Sequence, residues 1–447
     1  MMSHPRVTQK HSARNLLRTG SLSGKSFNKP LLAKEPIAQI SVGDMHGNAF
    51  KMIHFLCSSG MMQLTPNDFK KLKNIYYKKF GLTKEDFDSW KEILKRANFS
   101  TEITALFIGD ILADRGRNDY LTLLIFQAMQ EKKAPYKITL SNHDALFLSK
   151  YAKAQACEKL DEQVQAYCDE YLQSGQERSI HSLGRYLEQG LINQNEIRKI
   201  VTESYLTHLI LITYTINEKN NGITLFTHAP VGLEVIQKLA LKYNVPYQDD
   251  SVQLLAATID SINIQFQKHI QGQEKLSTFC KELSKEIDKS CAAEGSGPVP
   301  ADYPLARLTW NRYERNSAYP PILKWPLENK FNIKVVHGHT GTEGIHRMSM
   351  RGDPLMQALD ETDPLKNRFV CIDNEVFKAT PSPPTPPSPE ESYCVYISYR
   401  NPENKPILSR VNTHDDLLLD ESGYDSPVSP VSSDDEDEQH KSPKPRI

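Results

Sequence analysis

Short apolar runs along the chain alternate with longer stretches in which apolar residues recur at helical spacing. The runs predict β-strands, because they are rich in strand-forming residues and stop at polar residues or glycine. We predict strands at 37–42, 105–108, 136–140, 208–216, 223–227, 333–336, 369–373 and 393–399, with 208–216 and 223–227 forming a hairpin. Helices are predicted after the first strand (amphipathic), over 65–97, around 120–130, and over 150–205 and 231–289. This order of elements indicates an α/β (α+β) fold.

Five of the predicted strands end at polar residues that can bind a metal ion, a proton or a phosphate. These residues are Asp44 and His46; Asp110, Asp114 and Arg115; Asn142 and His143; His228; and His339. The α/β proteins place their ligands at the carboxyl edge of a sheet, where such residues would lie. A buried His or Asn is usually only hydrogen-bonded within the core. Because that explanation would be needed five times, we expect the strand ends to form one site.

The residue types at these strand ends predict the chemistry of the site. Carboxylates, imidazoles and one amide, without a thiolate, suit Mn²⁺, Fe or Zn²⁺. There are too many ligands for one catalytic ion, so two divalent metal ions are expected. The predicted division has Asp110 bridging two metals, the first bound by Asp44 and His46 and the second by Asn142, His228 and His339. Two ions about 3.5–4 Å apart can share a hydroxide and align an in-line displacement, which is the chemistry of phosphoester hydrolysis.

Five short motifs carry a resemblance to a known family. They are GDMHG, GDILADRG, SNHD, THAP and HGHT, starting at residues 43, 109, 141, 227 and 337. In order and spacing they resemble the phosphoprotein phosphatase (PPP) branch of the calcineurin-like metallophosphatases, whose motifs read GDxHG, GDxxDRG and GNHE. The resemblance spans about residues 37–400. It implies a metallophosphatase β-sandwich flanked by helices, with residues 36–400 as the catalytic domain and the same six metal ligands.

The same resemblance implies catalytic roles for four further residues. His143 would be the general acid that protonates the leaving oxygen, and Asp114 would orient it. Arg115 would clamp phosphate oxygens with its planar guanidinium, for which Lys would be a poor substitute. Arg312, in the segment LTWNR, resembles a second phosphate-binding arginine that follows a Trp in bacterial-type members.

The chain departs from the family pattern in three places. GDILADRG has one residue more than GDxxDRG, so the loop must bulge to keep its second aspartate against the catalytic histidine. Ser141 stands where the family has Gly, and Asp144 where it has Glu, which leaves the surroundings of the ligands open. In HGHT we prefer His339 to His337 as the ligand, because His339 follows Gly338 as in the family's GH motif.

The helical regions 150–205 and 231–289 are insertions relative to a compact eukaryotic catalytic core. Together with the acidic tail they resemble the Wip-type effector phosphatases, which intracellular bacteria inject into host cells to dephosphorylate phosphotyrosine proteins. The resemblance implies a phosphoprotein substrate and delivery to a host cytosol. The insertions themselves are expected either to shape substrate access or to act as additional scaffold.

The charge is nearly balanced overall but unevenly distributed. The net charge of −1 gives no bulk field for nucleic acid or a membrane surface, so neither is expected as a partner. Residues 1–35 carry many basic residues and no acid before Glu35, and residues 401–447 are rich in Ser, Pro and acidic residues. We expect both ends to be disordered. The proline-rich segment 380–389 and the helical insertions are candidate docking sites for partner proteins.

The cysteines and the apolar segments bear on the compartment. Seven cysteines form no CxxC pair and leave one over, which favours free thiols in a reducing compartment over disulfides. No apolar run approaches the roughly eighteen residues of a membrane span, and the basic N-terminus has no apolar core typical of a signal peptide. The sequence therefore predicts a soluble, cytoplasmic protein.

Two alternatives to a phosphoprotein phosphatase remain open at this point. The same metals could serve a small phosphoester, such as a dinucleoside polyphosphate, as in bacterial-type relatives. The chain could also be a non-catalytic binding scaffold, although every expected ligand position and the acid are filled.

Overall fold

The computed structural model describes residues 37–79, 81–168, 177–218, 221–292, 299–311, 331–339, 369–372, 392–399 and 407–412. Arg312, the basic arm, the proline-rich segment and most of the acidic tail lie outside these residues. No described helix combines the length and the apolar character that crossing a lipid bilayer requires.

The strands and helices lie close to the predicted positions. In chain order the strands are β1 (Ile37–Val42), β2 (Met62–Gln63), β3 (Asn98–Phe99), β4 (Thr104–Phe107), β5 (Tyr136–Thr139), β6 (Leu209–Ile210), β7 (Thr213–Asn217), β8 (Gly222–Thr227), β9 (Asn332–His337), β10 (Phe369–Cys371), β11 (Ser392–Tyr399) and β12 (Ile407–Asn412). The helices are α1 (Ala49–Ser58), α2 (Pro66–Tyr76), α3 (Lys84–Arg96), α4 (Asp119–Glu131), α5 (Asn142–Ala156), α6 (Leu160–Cys168), α7 (Arg178–Glu188), α8 (Gln194–Ile200), α9 (Leu233–Lys242), α10 (Val252–Ile270), α11 (Gln273–Ala292) and α12 (Pro304–Trp310).

Two sheets form the centre of the fold. The larger has the strand order β12-β11-β1-β4-β5-β6, in which β1, β4, β5 and β6 are parallel. The smaller has the order β10-β9-β8-β7, in which β8, β9 and β10 are parallel. A small apolar cluster joins them, contributed by Leu106, Ile108, Phe226, Val336, Ile372 and Tyr396. The fold is therefore a mixed α/β sandwich flanked by helices, as predicted.

Local sequence explains where the helices near the site begin. Asn48 and Ser141 cap α1 and α5 with their side chains, directly after the loops that carry the expected ligands. Thr83 and Asp86 form a reciprocal capping box at α3. The amphipathic character predicted for α1 is wrong, because every residue of this helix is buried. The aromatic ring of Phe50 packs on Phe69 and Tyr76 of α2.

The predicted strand 208–216 is two strands that belong to different sheets. β6 pairs with β5 in the larger sheet, whereas β7 pairs with β8 in the smaller one. Between them the Leu211 N–H donates to the side-chain oxygen of Asn263 on α10 (3.0 Å), and the Asn263 amide donates to the Ile212 carbonyl (2.7 Å). These bonds satisfy backbone N–H and C=O groups where the chain passes from the larger sheet to the smaller one. The hairpin is confirmed only from residue 213 onward.

Strand β12 corrects the expected C-terminal boundary. It lies inside the 401–447 segment that the composition predicts to be disordered, and it pairs antiparallel with β11 along its whole length. Composition averaged over the tail conceals this strand, because the Ser-Pro-acidic character begins only after it. The larger sheet therefore extends beyond residue 400.

Candidate metal centre at the carboxyl edge of the two sheets

The expected metal ligands converge in a buried place where strands of both sheets end. One group of potential ligand atoms comes from Asp110, His228 and His339, and another from His46, Asp110 and Asp114. Within each group the atoms lie within 4.8 Å of one another. Asp110 belongs to both groups, which is the geometry that a bridging ligand requires.

The imidazole of His228 brings the two sheets together at this edge. Its Nδ1 donates to the Ile108 carbonyl (3.0 Å), and since a carbonyl can only accept, this nitrogen carries the proton. In the neutral imidazole Nε2 is then the nitrogen without a proton, and it faces inward, 2.8 Å from Asn142 Oδ1 and 3.1 Å from His339 Nδ1. Asp110 Oδ1 lies 3.4 Å from the same nitrogen.

Asp44 lies beside His339 and His228. Its Oδ2 accepts from the His339 backbone N–H at 3.1 Å, and its Oδ1 lies 3.9 Å from His228 Nδ1. Gly338 is required here, because a Cβ would approach Asp44 Oδ1 to 2.0 Å. The contacts thus place Asp44 near the second predicted set of ligands, and its pairing with His46 on a first metal stays a prediction.

Three of the expected ligands have left-handed backbone. The φ angles are 56° at His46, 51° at Asp110 and 58° at His339. Each costs roughly 1–2 kcal/mol in a residue with a Cβ, and such strain concentrates at functional sites. Backbone bonds hold two of these turns, since Gly47 N–H donates to the Asp110 carbonyl and Gly116 N–H to the His46 carbonyl.

The extra residue of the GDILADRG loop is accommodated by a bulge at Ala113. This residue also has left-handed backbone, with φ 53°. Its N–H donates to Asp119 Oδ2 (2.9 Å), and its carbonyl accepts from His143 Nδ1 (2.8 Å). The bulge therefore fixes the tautomer of His143, leaving Nε2 to face the site.

Asp114 lies between the two imidazoles that the resemblance assigns to different roles. Its Oδ2 accepts from His46 Nδ1 at 2.8 Å and lies 3.7 Å from His143 Nε2. Burial alone would raise the pKa of Asp114, but the two imidazoles and the Arg115 guanidinium hold it well below its usual range. Burial alone would lower the pKa of His143, but the charges of Asp114 and Asp110 raise it. Asp114 is thus a permanent anion that favours the protonated form of His143.

The Arg115 guanidinium is folded inward in this structure. Its Nε donates to Asp114 Oδ1 at 3.1 Å, and its Nη2 lies 2.8 Å and 3.3 Å from the two ring nitrogens of His46. About a third of the side chain is exposed (36%). In this position the guanidinium contacts the imidazole of His46. To bind phosphate, the Arg115 side chain would have to turn toward solvent.

Ser141 and Asp144 form hydrogen bonds that hold the backbone of the expected ligand Asp110. The Ser141 hydroxyl accepts from the Asp110 and Asp144 N–H groups, both at 2.9 Å, and donates to Asp144 Oδ2 at 2.5 Å. Tyr205 donates to the other carboxylate oxygen at 2.8 Å. Burial raises the pKa of Asp144 to about 7. The two departures from the family motif therefore form one bonded pair that holds the left-handed turn at Asp110.

Two residues at the start of α7 reach the GDILADRG loop without any signal in the sequence. The Ser179 hydroxyl accepts from the Asp114 N–H and donates to the Asp114 carbonyl, both at 2.9 Å. The Arg178 guanidinium donates to the carbonyls of Arg115 (2.8 Å) and Gly116 (3.3 Å). Both residues lie in the inserted region 150–205, more than sixty positions from the loop.

His337 and Arg312 complete the account of the predicted residues. His337 donates from Nδ1 to the Gly338 carbonyl (2.8 Å), belongs to neither ligand group, and burial lowers its pKa to about 4. His339, in contrast, packs its ring against Trp310 with 5.9 Å between ring centroids. Arg312 lies just beyond α12 and outside the described residues.

Buried Asp119 gives the folded protein a pH dependence that can be measured. Burial raises the pKa of Asp119 to about 7, against about 3.9 in an unfolded chain. Between these pH values the folded protein binds more protons than the unfolded chain. The free energy of unfolding therefore falls by on the order of 4 kcal/mol as pH rises from about 4 to 7. Asp119→Asn keeps the acceptor for the Ala113 N–H and should remove this loss. Thermal midpoints at pH 5 and pH 8 should differ less in this variant than in the wild type.

An exposed aspartate provides the control for that measurement. Asp302 forms a surface ion pair with Lys238, and Asp302→Asn should leave the difference between pH 5 and pH 8 unchanged. Equal differences in the Asp119 variant and the wild type would show that Asp119 is ionised at low pH in the folded protein.

Comparison with known proteins found a matching family and a similar solved structure. A family described as "WipA-like, phosphatase domain" matches residues 104–360, more than half of the chain. The crystal structure of the phosphatase domain from the Legionella effector WipB is similar with a TM-score of 0.55 and 26% sequence identity. That similarity covers 68% of this chain and 100% of the WipB domain. Among curated proteins none matches the chain.

Proposed function

Because the chain belongs to the family of WipA-like phosphatase domains, we propose that this phosphatase hydrolyses phosphomonoesters of proteins with the help of two divalent metal ions. The site for both ions would be the two ligand groups that share Asp110. Mn²⁺ is the ion we expect, and Fe or Zn²⁺ would also suit ligands of this kind.

The orientation of His228 is the observation that carries the proposal. Its Nδ1 donates to a backbone carbonyl, so in the neutral imidazole the lone pair on Nε2 faces the Asn142 oxygen and the Asp110 carboxylate. Acceptor atoms at such distances repel one another in a buried place, and a cation between them removes the repulsion. The residues present therefore fit a metal, and carboxylate, amide and imidazole donors suit a divalent one.

The proposed ligands would bind the two ions in two sets. Asn142, His228 and His339 would hold one ion, Asp44 and His46 would hold the other, and Asp110 would be shared by both. When bound, such ions stabilise the charge that develops on the phosphoryl group and lower the pKa of bound water. The strained turns at three of the ligands pre-organise the donors before any ion arrives.

Proton transfer to the leaving oxygen would come from His143. The Ala113 carbonyl holds its Nδ1–H, so Nε2 is the nitrogen that faces the site and exchanges the proton. The Asp114 carboxylate raises the pKa of this imidazole against the effect of burial and so favours its protonated form. Arg115, and Arg312 by resemblance, would bind the phosphate oxygens.

The similarity to the WipB domain supports a finer proposal, that the protein is an effector that acts in the cytosol of a host cell. That phosphotyrosine is among its substrates is a separate proposal, which rests on the sequence resemblance to the Wip-type effector phosphatases. Free thiols at Cys57, Cys157, Cys168 and Cys280 are compatible with a reducing cytosol.

Dependence on metal is the first test of this function. Treatment with a chelator should lower hydrolysis of phosphopeptides at least about a hundredfold, since the ions supply both charge stabilisation and the nucleophile, and added Mn²⁺ should restore it. The assay uses matched peptides carrying phosphoserine, phosphothreonine and phosphotyrosine, and we expect the phosphotyrosine peptide to react fastest. Faster hydrolysis of a dinucleoside polyphosphate would contradict a protein substrate. No hydrolysis with Mn²⁺, Zn²⁺ or Fe²⁺ would indicate a binding scaffold.

A further inference from the structure

Helix α7 of the inserted region contacts the peptide group that holds the general acid. The peptide between Ala113 and Asp114 has two partners. Its carbonyl accepts from His143 Nδ1 at 2.8 Å, and its N–H donates to the Ser179 hydroxyl at 2.9 Å. Because a peptide group is planar, fixing its N–H also fixes the direction of its carbonyl.

Further bonds hold the loop and the helix together. The Ser179 N–H donates to the Asp114 carbonyl at 3.0 Å, so the residue is bonded to both sides of Asp114. The Arg178 guanidinium covers the next two carbonyls of the loop. Gly47 shows how closely the helix approaches, since a Cβ there would lie 2.8 Å from Ser179 Oγ.

The same helix is also tied to the helix that carries His143. Glu177, directly before α7, forms a buried ion pair with Lys150 of α5, with 3.4 Å between Nζ and Oε2. Asn142 and His143 are the first two residues of α5. One end of α7 therefore connects the loop that accepts from the imidazole with the helix that bears it.

A bond of this kind is needed because the peptide is strained. Ala113 has left-handed backbone, which residues with a Cβ adopt at a cost, and the loop has one residue more than the family motif. Without a partner for the Asp114 N–H, the peptide would be free to rotate toward a lower-energy conformation, and its carbonyl would leave His143.

We infer that Ser179 is a positioning residue for His143, acting through the Ala113–Asp114 peptide, so that the helical insertion is part of the proton-transfer apparatus. This rests on the proposed function, in which His143 Nε2–H gives its proton to the leaving oxygen as the P–O bond breaks. The insertion thus has a task in catalysis besides contributing scaffold.

The test compares two serines of the same helix on two substrates. Ser179→Ala removes the bond to the peptide. Ser182→Ala removes a hydroxyl that donates to the Arg178 carbonyl and accepts from the Arg185 guanidinium, both within the same helix. With Mn²⁺ present, kcat and KM are measured for p-nitrophenyl phosphate and for phenyl phosphate. The nitrophenolate leaves readily without a proton, but the phenolate needs one, so only phenyl phosphate reports on the acid.

A specific pattern is expected. Ser179→Ala should lower kcat for phenyl phosphate about tenfold or more, a part of the roughly 10²–10⁴ that a general acid contributes. For p-nitrophenyl phosphate kcat should fall less than about threefold, KM should stay unchanged for both substrates, and Ser182→Ala should match the wild type. If Ser179→Ala does not fold, as judged by circular dichroism, Ser179→Cys preserves the volume with a much weaker hydrogen-bonding group and should show the same pattern.

Other outcomes overturn the inference in distinguishable ways. Equal losses on both substrates would show a general structural role for Ser179, and no loss would show that the peptide stays in place without it. A wild-type protein that hydrolyses neither substrate would overturn the proposed function itself.

Discussion

Asp110→Asn should abolish phosphatase activity and remove bound metal from both ligand groups. Its carboxylate is the one side chain shared by the two groups of potential ligands within the described residues. Asparagine preserves the volume and tolerates the left-handed backbone at this position (φ 51°), so the loss would reflect charge and not misfolding. We expect kcat/KM to fall at least about a thousandfold, or roughly 4 kcal/mol of transition-state stabilisation. Metal per chain, measured by elemental analysis, should fall with it.

The same control variant as above separates this effect from a general change in charge. Asp302→Asn removes one exposed carboxylate and should retain full activity and metal content. An Asp110→Asn protein that keeps two ions per chain would refute the bridging role, whatever its activity.

His143→Ala should lower kcat by about 10²–10⁴ while leaving metal content unchanged. The imidazole belongs to neither ligand group, and its Nδ1 is held by the Ala113 carbonyl, so its removal takes away a proton donor and no ligand. The loss should be larger for phenyl phosphate than for p-nitrophenyl phosphate, because the poorer leaving group depends more on protonation.

A histidine far from the site provides the matched variant. His269 of α10 is partly buried beside Glu282, and His269→Ala should not change kcat. If metal content falls in the His143 variant, this residue is a ligand and another group must be the acid.

Much of the site could be predicted from sequence because strand ends are a local signal. Asp44, Asp110, Asn142, His228 and His339 each follow an apolar strand within a few residues, and parallel strands bring their carboxyl ends to one edge. The bulge at Ala113 could also be anticipated, since the loop has one residue more than the motif it resembles. The hydrogen-bond partner of Asp114 was harder to predict. Both His46 and His143 lie close to its carboxylate, and only the folded structure shows that His46 is the nearer.

The features that sequence analysis missed depend on contacts between residues that are far apart in the sequence. The apolar run 208–216 has the pattern of one strand, and only the Asn263 side chain, some fifty positions away, explains why it divides between two sheets. Ser179 lies in a helix whose pattern predicts nothing more than a buried face. Its hydroxyl bonds to the Asp114 N–H because α7 packs on a loop 65 positions earlier in the chain. A contact between residues so far apart leaves no local pattern in the sequence.

The distribution of the proposed ligands between the two sheets would connect metal uptake to folding. Asp110 and Asn142 follow strands of the larger sheet, whereas His228 and His339 follow strands of the smaller one. An ion that binds across this boundary has affinity only for the assembled sandwich, so each tenfold rise in free metal adds about 1.4 kcal/mol per ion to the free energy of unfolding once the sites begin to fill. The supply of metal would then govern the lifetime of the protein as well as its turnover, and starvation for it would leave a chain that is both inert and easily degraded.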